Sequence, residues 1–462
     1  MVDNSLSARH WIGANWIGSD TILDSINPAT GEVIGHYAEG GEDIAQKAIA
    51  IARSTFVETS WREDRRLRAR VLNEMADRFE AYSGELVDLL ALENGKIVPE
   101  AQFELSMVPS KLRFYAALAL TDFGRVIETA AGCYATVLKQ PMGVAGIIAP
   151  WNSPVVLFIR SLAPALAAGA TVVGKLPGWT AQVNAKMCEV FASVKSLPPG
   201  VLNVFTELGS DGARAVIASP LVPIISFTGS SATGQAIAAT GAHHLKRFGL
   251  ELGGKTPILI FEDANLDKAL PVIEKALTVF AGQFCMTGSR LLVQRSILAT
   301  VRERLAKRLA AVKVGPASDP ASEMGPLINK SNVARVNAMV ERAIADGAKV
   351  VVRGGPVDDV ALANGAFYRP TLLEITDHGL EIAQDEVFGP VLVMQAFDTE
   401  ADAIALANNS QYGLAASVWS TNIDRPQRVA RKPMWALFGS TIGPWSMTKP
   451  KKAASSKAGW AD

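Results

Sequence analysis

Cysteine is scarce in this chain: three residues in 462, Cys133, Cys188 and Cys285, odd in number, far apart and nowhere in Cys-x-x-Cys spacing. That scarcity excludes a disulfide framework and a structural zinc site, and it points to a reducing, cytoplasmic compartment. Net charge is lacking too, because 45 basic and 45 acidic side chains cancel. Proteins that track phosphate backbones or anionic membranes carry a basic footprint, so neither nucleic acid nor a membrane surface is expected as a partner. An unbroken apolar run of membrane length is also absent. The stretch from Pro154 to Gly174 is interrupted by Arg160, Pro164 and Gly169, and it reads as a buried helix followed by a strand. The N-terminus places Asp3, Arg9 and His10 ahead of any sustained apolar run, so it has no signal-peptide core and export is not expected.

What the chain does have is alternation. Between Pro141 and Ile260, β-branched runs such as Gly143–Ile148, Ala170–Val173, Val201–Phe205 and Ile224–Thr228 take turns with the helical stretches Val155–Ala168, Thr180–Val194, Gly209–Ala218 and Ser231–Thr240. Strand and helix in strict turn predict a parallel sheet covered on both faces, an architecture that binds nucleotides. Ahead of it, Glu42–Glu58, Arg65–Tyr82 and Glu85–Glu93 read as amphipathic helices, with Leu67, Val71, Met75 and Phe79 at helical spacing. The segment Ala135–Lys139 alternates like one strand of a projecting hairpin. After Gly254 a second alternating series, running through Pro257–Phe261, Leu266–Phe280, Arg290–Val293 and on to Val391–Phe397, predicts a second α/β domain that carries Cys285. At this length roughly two or three domains are expected.

Several constellations carry chemistry. Cys285 lies between Gly282 and Gly288 with little apolar cover, a setting in which a thiol can be reached and held as thiolate; the bland alternative is an incidental half-buried cysteine. Glu251-Leu-Gly-Gly-Lys255 upstream offers a carboxylate base. Phe227-Thr-Gly-Ser-Ser-Ala-Thr-Gly234 follows a strand and opens a helix, where N–H groups and the helix dipole favour a phosphate, although many such turns only need glycine. Lys175, at the end of a strand, suits a ribose or phosphate, or is simply a solvated lysine. In Pro150-Trp151-Asn152-Ser153 the asparagine amide can donate to a developing oxyanion, or it is a turn asparagine between prolines. Glu386-Val-Phe-Gly-Pro390 can bind sugar hydroxyls and stack on a ring, or be a loop acid and a core Phe. His243 and His244 keep a Cys-dependent hydrolase or acyltransferase open as the competing enzyme class, and a relative with only a binding role is a third reading.

In family order and spacing, Pro-Trp-Asn, Phe-Thr-Gly-Ser, Glu-Leu-Gly-Gly-Lys, Gly-Gln-x-Cys and Glu-Val-Phe-Gly-Pro resemble the aldehyde dehydrogenase superfamily, from about Asn27 to about Ala430. The resemblance implies NAD(P)-dependent oxidation of an aldehyde to a carboxylic acid. In it, Cys285 attacks the aldehyde carbon, Asn152 and the Cys285 backbone N–H stabilise the oxyanion, and Glu251 deprotonates the water that hydrolyses the thioester. It implies cofactor contacts at Ile148, Pro150, Trp151, Lys175, Gly229, Ser230, Gly234, Leu252, Glu386 and Phe388. It also implies a Rossmann-like NAD(P)-binding domain (1–119 and 143–251), a catalytic domain (252–430) and an oligomerisation β-arm (120–142) serving a homodimer or homotetramer.

Two departures qualify this. Where many NAD-preferring relatives carry a glutamate shortly after the lysine, this chain has Gly178, so measurable NADP use is expected. The tail, 431–462, does not follow the usual family ending Phe-Gly-Gly-x-Lys-x-Ser-Gly-x-Gly-Arg. Read one nucleotide out of phase, Met434-Trp435-Ala436 compels Val-Gly and the join of Trp460 to Ala461 compels Gly. The remaining codons permit a family-like ending that closes Gly-Gly-Phe-Lys-Gln-Ser-Gly-Leu-Gly-Arg, so a frameshift near Pro433 is expected.

Overall fold

The strands predicted at the centre of the alternation are buried on both faces: Val144–Ile148 and Leu202–Glu207 along their whole length, and Thr171–Pro177 at every residue except Lys175. That is why they show no strict apolar–polar alternation. The computed structural model describes residues 7–121, 124–432, 437–440 and 446–448. Its backbone divides into two compact units, the first comprising Met1–Ile26, Val33–Asn94 and Ala101–Gly249, the second Asn27–Glu32, Gly95–Glu100 and Leu250–Asp462. The fold is α/β, with a mainly parallel sheet in each unit.

In the first unit seven strands lie in the order Arg247–Glu251, Ile224–Thr228, Val144–Ile148, Thr171–Pro177, Leu202–Glu207, His10–Ile12 and Asn15–Ile17. Neighbours from Ile224–Thr228 to Leu202–Glu207 are parallel, and the two N-terminal strands add an antiparallel edge. That edge was not anticipated, because its strands are three residues each and show no alternation. The chain moves outward from Val144–Ile148 through Thr171–Pro177 to Leu202–Glu207, then returns to Ile224–Thr228 on the other side. The strand order therefore reverses between Val144–Ile148 and Ile224–Thr228, and in open α/β sheets the carboxyl ends beside such a reversal are where ligands gather.

The predicted buried helix after the first of these strands is Pro154–Ala168. Proline opens it where a missing N–H costs nothing, and Gly169, at φ 89°, ends it in the left-handed region that favours glycine. Its fully buried face, Val155, Phe158, Ile159, Leu162 and Leu166, joins Trp61, Leu72, Phe79 and Phe191 in one core. Helices Glu42–Glu58 and Arg65–Ala81 follow the expected spans. The third expected helix is Ser83–Leu89, continued by a π-turn over Leu90–Asn94. The long helix Val98–Thr121 was not anticipated. The hairpin pairs Arg125–Ala130 with Cys133–Val137, so its second strand begins at Cys133 rather than Ala135, and all but one of its residues are exposed.

In the second unit eight strands are ordered Lys349–Val352, Thr371–Glu374, Val391–Phe397, Gly288–Gln294, Thr256–Ile260, Ala415–Trp419, Leu437–Ser440 and Ser446–Thr448. All but the two edge strands run parallel. Thr371–Glu374 and Ala415–Trp419 were not anticipated. Of the expected out-of-frame tail, residues 433–436, 441–445 and 449–462 lie outside the described residues. Among the described residues no helix is long and apolar enough to cross a membrane.

Candidate active site

The first unit collects its candidates at the carboxyl ends of adjacent strands. Ile148 closes one strand and leads into Pro150-Trp151-Asn152; Lys175 sits near the end of the next, and Ala149 N–H donates to its carbonyl at 3.1 Å. Across the reversal, Thr228 closes its strand and Gly229-Ser230 leads into the helix Ser231–Ala242. Ser230 is that helix's N-cap, its hydroxyl accepting from Thr233 N–H at 3.2 Å, and Gly234 N–H closes the first turn on the Ser230 carbonyl at 3.0 Å. Arg160 braces the turn by donating to Thr228 Oγ1 at 3.1 Å.

Lys175 is half-buried, and that burial lowers its amine below the ordinary lysine range against the attraction of the Glu207 and Glu39 carboxylates. Glu39 itself accepts from the N–H groups of Leu208 and Gly209 at 2.9–3.0 Å. Gly178 lies close by: a Cβ built on it would stand 2.5 Å from the Tyr37 hydroxyl and 2.8 Å from Leu208 Cβ. No glutamate fits at Gly178 without moving Leu208.

Asn152 is 5% exposed and its turn is held at both ends. Asn94 Nδ2 donates to the Trp151 carbonyl at 2.7 Å, while Glu104 Oε1 accepts from Val155 and Val156 N–H at 2.9 and 3.2 Å. Neither Asn94 nor Glu104 carried a motif in the sequence. Asn94 stands just past the end of the expected helix Glu85–Glu93 and Glu104 in the helix that was not anticipated, and only the fold brings them to the turn.

The second unit brings three sequence motifs together around Cys285. The backbone turns left-handed at Phe280, Ala281 and Gly282, with φ 51°, 54° and 72°. Only the last is glycine, and a Cβ there would lie 2.6 Å from Pro390 N, so the turn rests directly on Gly389-Pro390. A Cβ on Gly254 would lie 2.5 Å from the Cys285 carbonyl oxygen, and one on Gly253 would strike the Glu386 carboxylate. The two glycines of Glu251-Leu-Gly-Gly-Lys255 therefore let the Cys285 and Glu386 turns close on the link between two strands. Cys285 and Glu251 are half-buried, and Leu252 is buried.

Buried polar groups fix the turn. Glu100 Oε2 accepts from Phe280 N–H at 3.2 Å, and its other oxygen accepts from Lys275 at 2.7 Å. The Lys96 ammonium stands 4.2 Å over the Phe280 ring. Gln283 bridges the Phe280 carbonyl (3.2 Å) and Ile328 N–H (2.9 Å). Glu386 accepts from Gly254 N–H at 3.1 Å; burial raises its carboxyl above the usual range, and that N–H, Lys255 and Arg335 oppose the rise. Phe388, half-buried, takes the left-handed φ of 51° that turns the motif back on itself. Lys255, 2% exposed, donates to the Asp385 carbonyl at 2.5 Å; burial first and Arg290 second push its amine down to about 7.

The other cysteines and the histidine pair belong to the first unit. Cys188 is buried on a helix, where burial pushes its thiol well up, and Cys133 is exposed on the hairpin. His243 and His244 are exposed beyond the helix Ser231–Ala242, in the first unit. Among the described residues no group of three or more His, Cys, Asp or Glu could hold a metal ion.

Comparison with known proteins finds relatives that span nearly the whole chain. Human 2-aminomuconic semialdehyde dehydrogenase is 36% identical over 434 residues, 92% of this chain and 88% of the relative. Betaine aldehyde dehydrogenase of Bacillus subtilis (strain 168) is 35% identical over 431 residues, again 92% and 88%. Among solved structures, betaine aldehyde dehydrogenase from Staphylococcus aureus, in complex with NAD+, superposes with a TM-score of 0.92 at 33% identity, covering 96% of this chain and 90% of that one. The model of the aldehyde dehydrogenase family matches residues 16–438, and the chain belongs to that family.

Proposed function

We propose that the protein oxidises an aldehyde to a carboxylic acid with NAD or NADP, through a thioester on Cys285. The observation that carries this reading is the closure of the Gly253-Gly254, Cys285 and Glu386 turns on one another in the second unit. In the first step the Cys285 thiolate adds to the carbonyl carbon, and the carbonyl π electrons move to oxygen, where the Asn152 amide and the Cys285 backbone N–H donate to the oxyanion. A nicotinamide held there would supply the hydride acceptor: as the oxyanion re-forms its C=O bond, the C–H electron pair would leave as hydride and the acyl group would stay on the Cys285 sulfur. Glu251 then takes a proton from water, the hydroxide adds to the thioester carbon, the C–S bond breaks, and the thiolate is restored as the acid departs.

The residues present fit a dinucleotide. The N-cap of Ser231–Ala242, beside the strand reversal, suits the pyrophosphate, with Gly229, Ser230 and Gly234 at its turn. Lys175, with Ile148, Pro150 and Trp151 on the neighbouring turn, would hold the adenosine end. Leu252, Glu386 and Phe388 would hold the nicotinamide end, the carboxylate on ribose hydroxyls and the ring beside the nicotinamide. The small number and wide spacing of the cysteines support a reducing, cytoplasmic compartment. The hairpin's exposed Val126 and Tyr134, each 69% exposed, support a role as oligomerisation arm.

Mixing the protein with NAD or NADP and a panel of aldehydes tests the reading, with semialdehydes and betaine aldehyde tried first because relatives bear those names. Reduced nicotinamide should appear, and Cys285→Ala should abolish it. Ester cleavage that needs no cofactor, with no dehydrogenation, would overturn the reading in favour of a thiol hydrolase.

A further inference from the structure

We infer that Asn94 and Glu104 are positioning residues for Asn152, fixing the amide that donates to the oxyanion; the inference rests on the proposed role of Asn152. The helix Pro154–Ala168 begins just after Asn152, and its N-cap residue, Ser153, makes no side-chain cap bond. A serine at that position ordinarily satisfies an N–H of the first turn by itself. Here the N–H groups of Val155 and Val156 are instead taken by one oxygen of Glu104, a residue 51 positions earlier and fully buried. On the other side of Asn152, the Trp151 carbonyl is taken by the side chain of Asn94, 57 positions earlier and 4% exposed. The Trp151 carbonyl belongs to the peptide plane that carries the Asn152 nitrogen. Holding that oxygen and the two N–H groups past Ser153 therefore leaves little freedom in the backbone from which the Asn152 side chain projects.

The supports are themselves fixed. Asn94 ends the π-turn Leu90–Asn94, an irregularity often retained at functional sites. Its neighbour Glu93, 1% exposed, takes the N–H groups of Gln182 and Val183 at 2.9 Å each and the Ser25 hydroxyl. The π-turn is thus bolted to the helix Ala181–Ala192. Burying a carboxylate and a carboxamide is costly unless each is bonded, and a local serine cap was available. Distant buried groups in place of a local cap set direction rather than merely closing a helix end. An oxyanion donor needs that direction, because its worth depends on standing at hydrogen-bond distance from an oxygen that becomes charged only in the transition state.

The test is a double-substitution cycle on the full-length protein, read as kcat/KM for an accepted aldehyde together with the NAD dissociation constant from calorimetry. Asn152→Ala is expected to lower kcat/KM by about 10²–10³-fold, the usual loss for one oxyanion donor. Asn94→Ala should lower it by roughly tenfold or more, with NAD affinity within about twofold. In the Asn152→Ala background the same substitution should change it by less than about twofold, because the group it positions is gone. Glu104→Gln, which keeps an acceptor oxygen for Val155 and Val156, should retain most of the activity, and Glu104→Ala should behave like Asn94→Ala. An Asn94→Ala loss that multiplies fully with that of Asn152→Ala, or no loss at all beside an impaired Asn152→Ala, overturns the positioning role alone. An unimpaired Asn152→Ala overturns the oxyanion reading and the inference with it.

Discussion

Cys285 and Glu251 were legible as residues because their meaning is carried by near neighbours. Glycines on either side of the cysteine, and the Gly-Gly-Lys after the glutamate, are the marks of backbones that must approach one another, and Gly254 does abut the Cys285 carbonyl. Asn94 and Glu104 drew no reading of their own from the sequence, and Lys255 none beyond its place in a motif, since the partner of a buried polar residue shows only in the fold. The two proposed chemical roles in the second unit separate kinetically. Glu251→Gln keeps the shape of the turn and removes the base for deacylation. A rapid burst of about one reduced cofactor per Cys285 should survive, while steady turnover falls by roughly 10²–10⁴-fold. Loss of the burst along with the turnover would show that Glu251 acts before the thioester forms.

Strands and helices were read well where periodicity was strong and poorly where it was short or broken. The strand Val144–Ile148 announced itself as a continuous apolar run because both its faces are covered. The helix Val98–Thr121 stayed hidden because it carries Pro109 in its interior and its apolar residues form no clear stripe. The N-terminal edge strands were too short to alternate.

The turn after Leu202–Glu207 bears on cofactor choice. The sequence showed glycine at 178 and therefore no carboxylate there to repel a 2′-phosphate; in the structure Leu208 and the Tyr37 hydroxyl close on that glycine, and Glu39 sits on the Leu208 and Gly209 N–H groups within electrostatic reach of Lys175. Both cofactors should work, with an NAD-to-NADP ratio of kcat/KM below about a thousand, some 4 kcal/mol. Glu39→Gln should shift that ratio toward NADP by roughly tenfold, the effect of removing one charge from a half-solvated site. An unchanged ratio would show that Glu39 lies outside the specificity-setting surroundings of the ribose.

At the scale of the whole molecule, the α/β class and the parallel sheets followed from the alternation of elements. The hairpin was expected from Gly132 and the alternation after it, although its second strand spans Cys133–Val137 rather than Ala135–Lys139. Its side chains argue for assembly: Val126, Ile127, Tyr134 and Val137 are all at least 45% exposed on a two-stranded ribbon, a form only marginally stable when isolated. Light scattering should give a mass that is a multiple of 49.1 kDa, and lysine at both Val126 and Tyr134 should lower it. A monomer at micromolar concentration, unchanged by those substitutions, would remove the hairpin from consideration as an arm. The family match stops at residue 438, shortly after the proposed frame change at Pro433, and resequencing the gene would establish whether that change is real.

The left-handed turn ahead of Cys285 has a further consequence for anyone wishing to engineer a hardier enzyme. Phe280 and Ala281 hold a backbone conformation that costs a side-chain-bearing residue about 1 kcal/mol or more each, and Glu100, Lys96 and Gln283 keep it from relaxing. Glycine there would relieve the strain and at the same time free the hinge beside the nucleophile. Thermostability and turnover are set against each other at these two positions, so gains in robustness are better sought elsewhere in the chain.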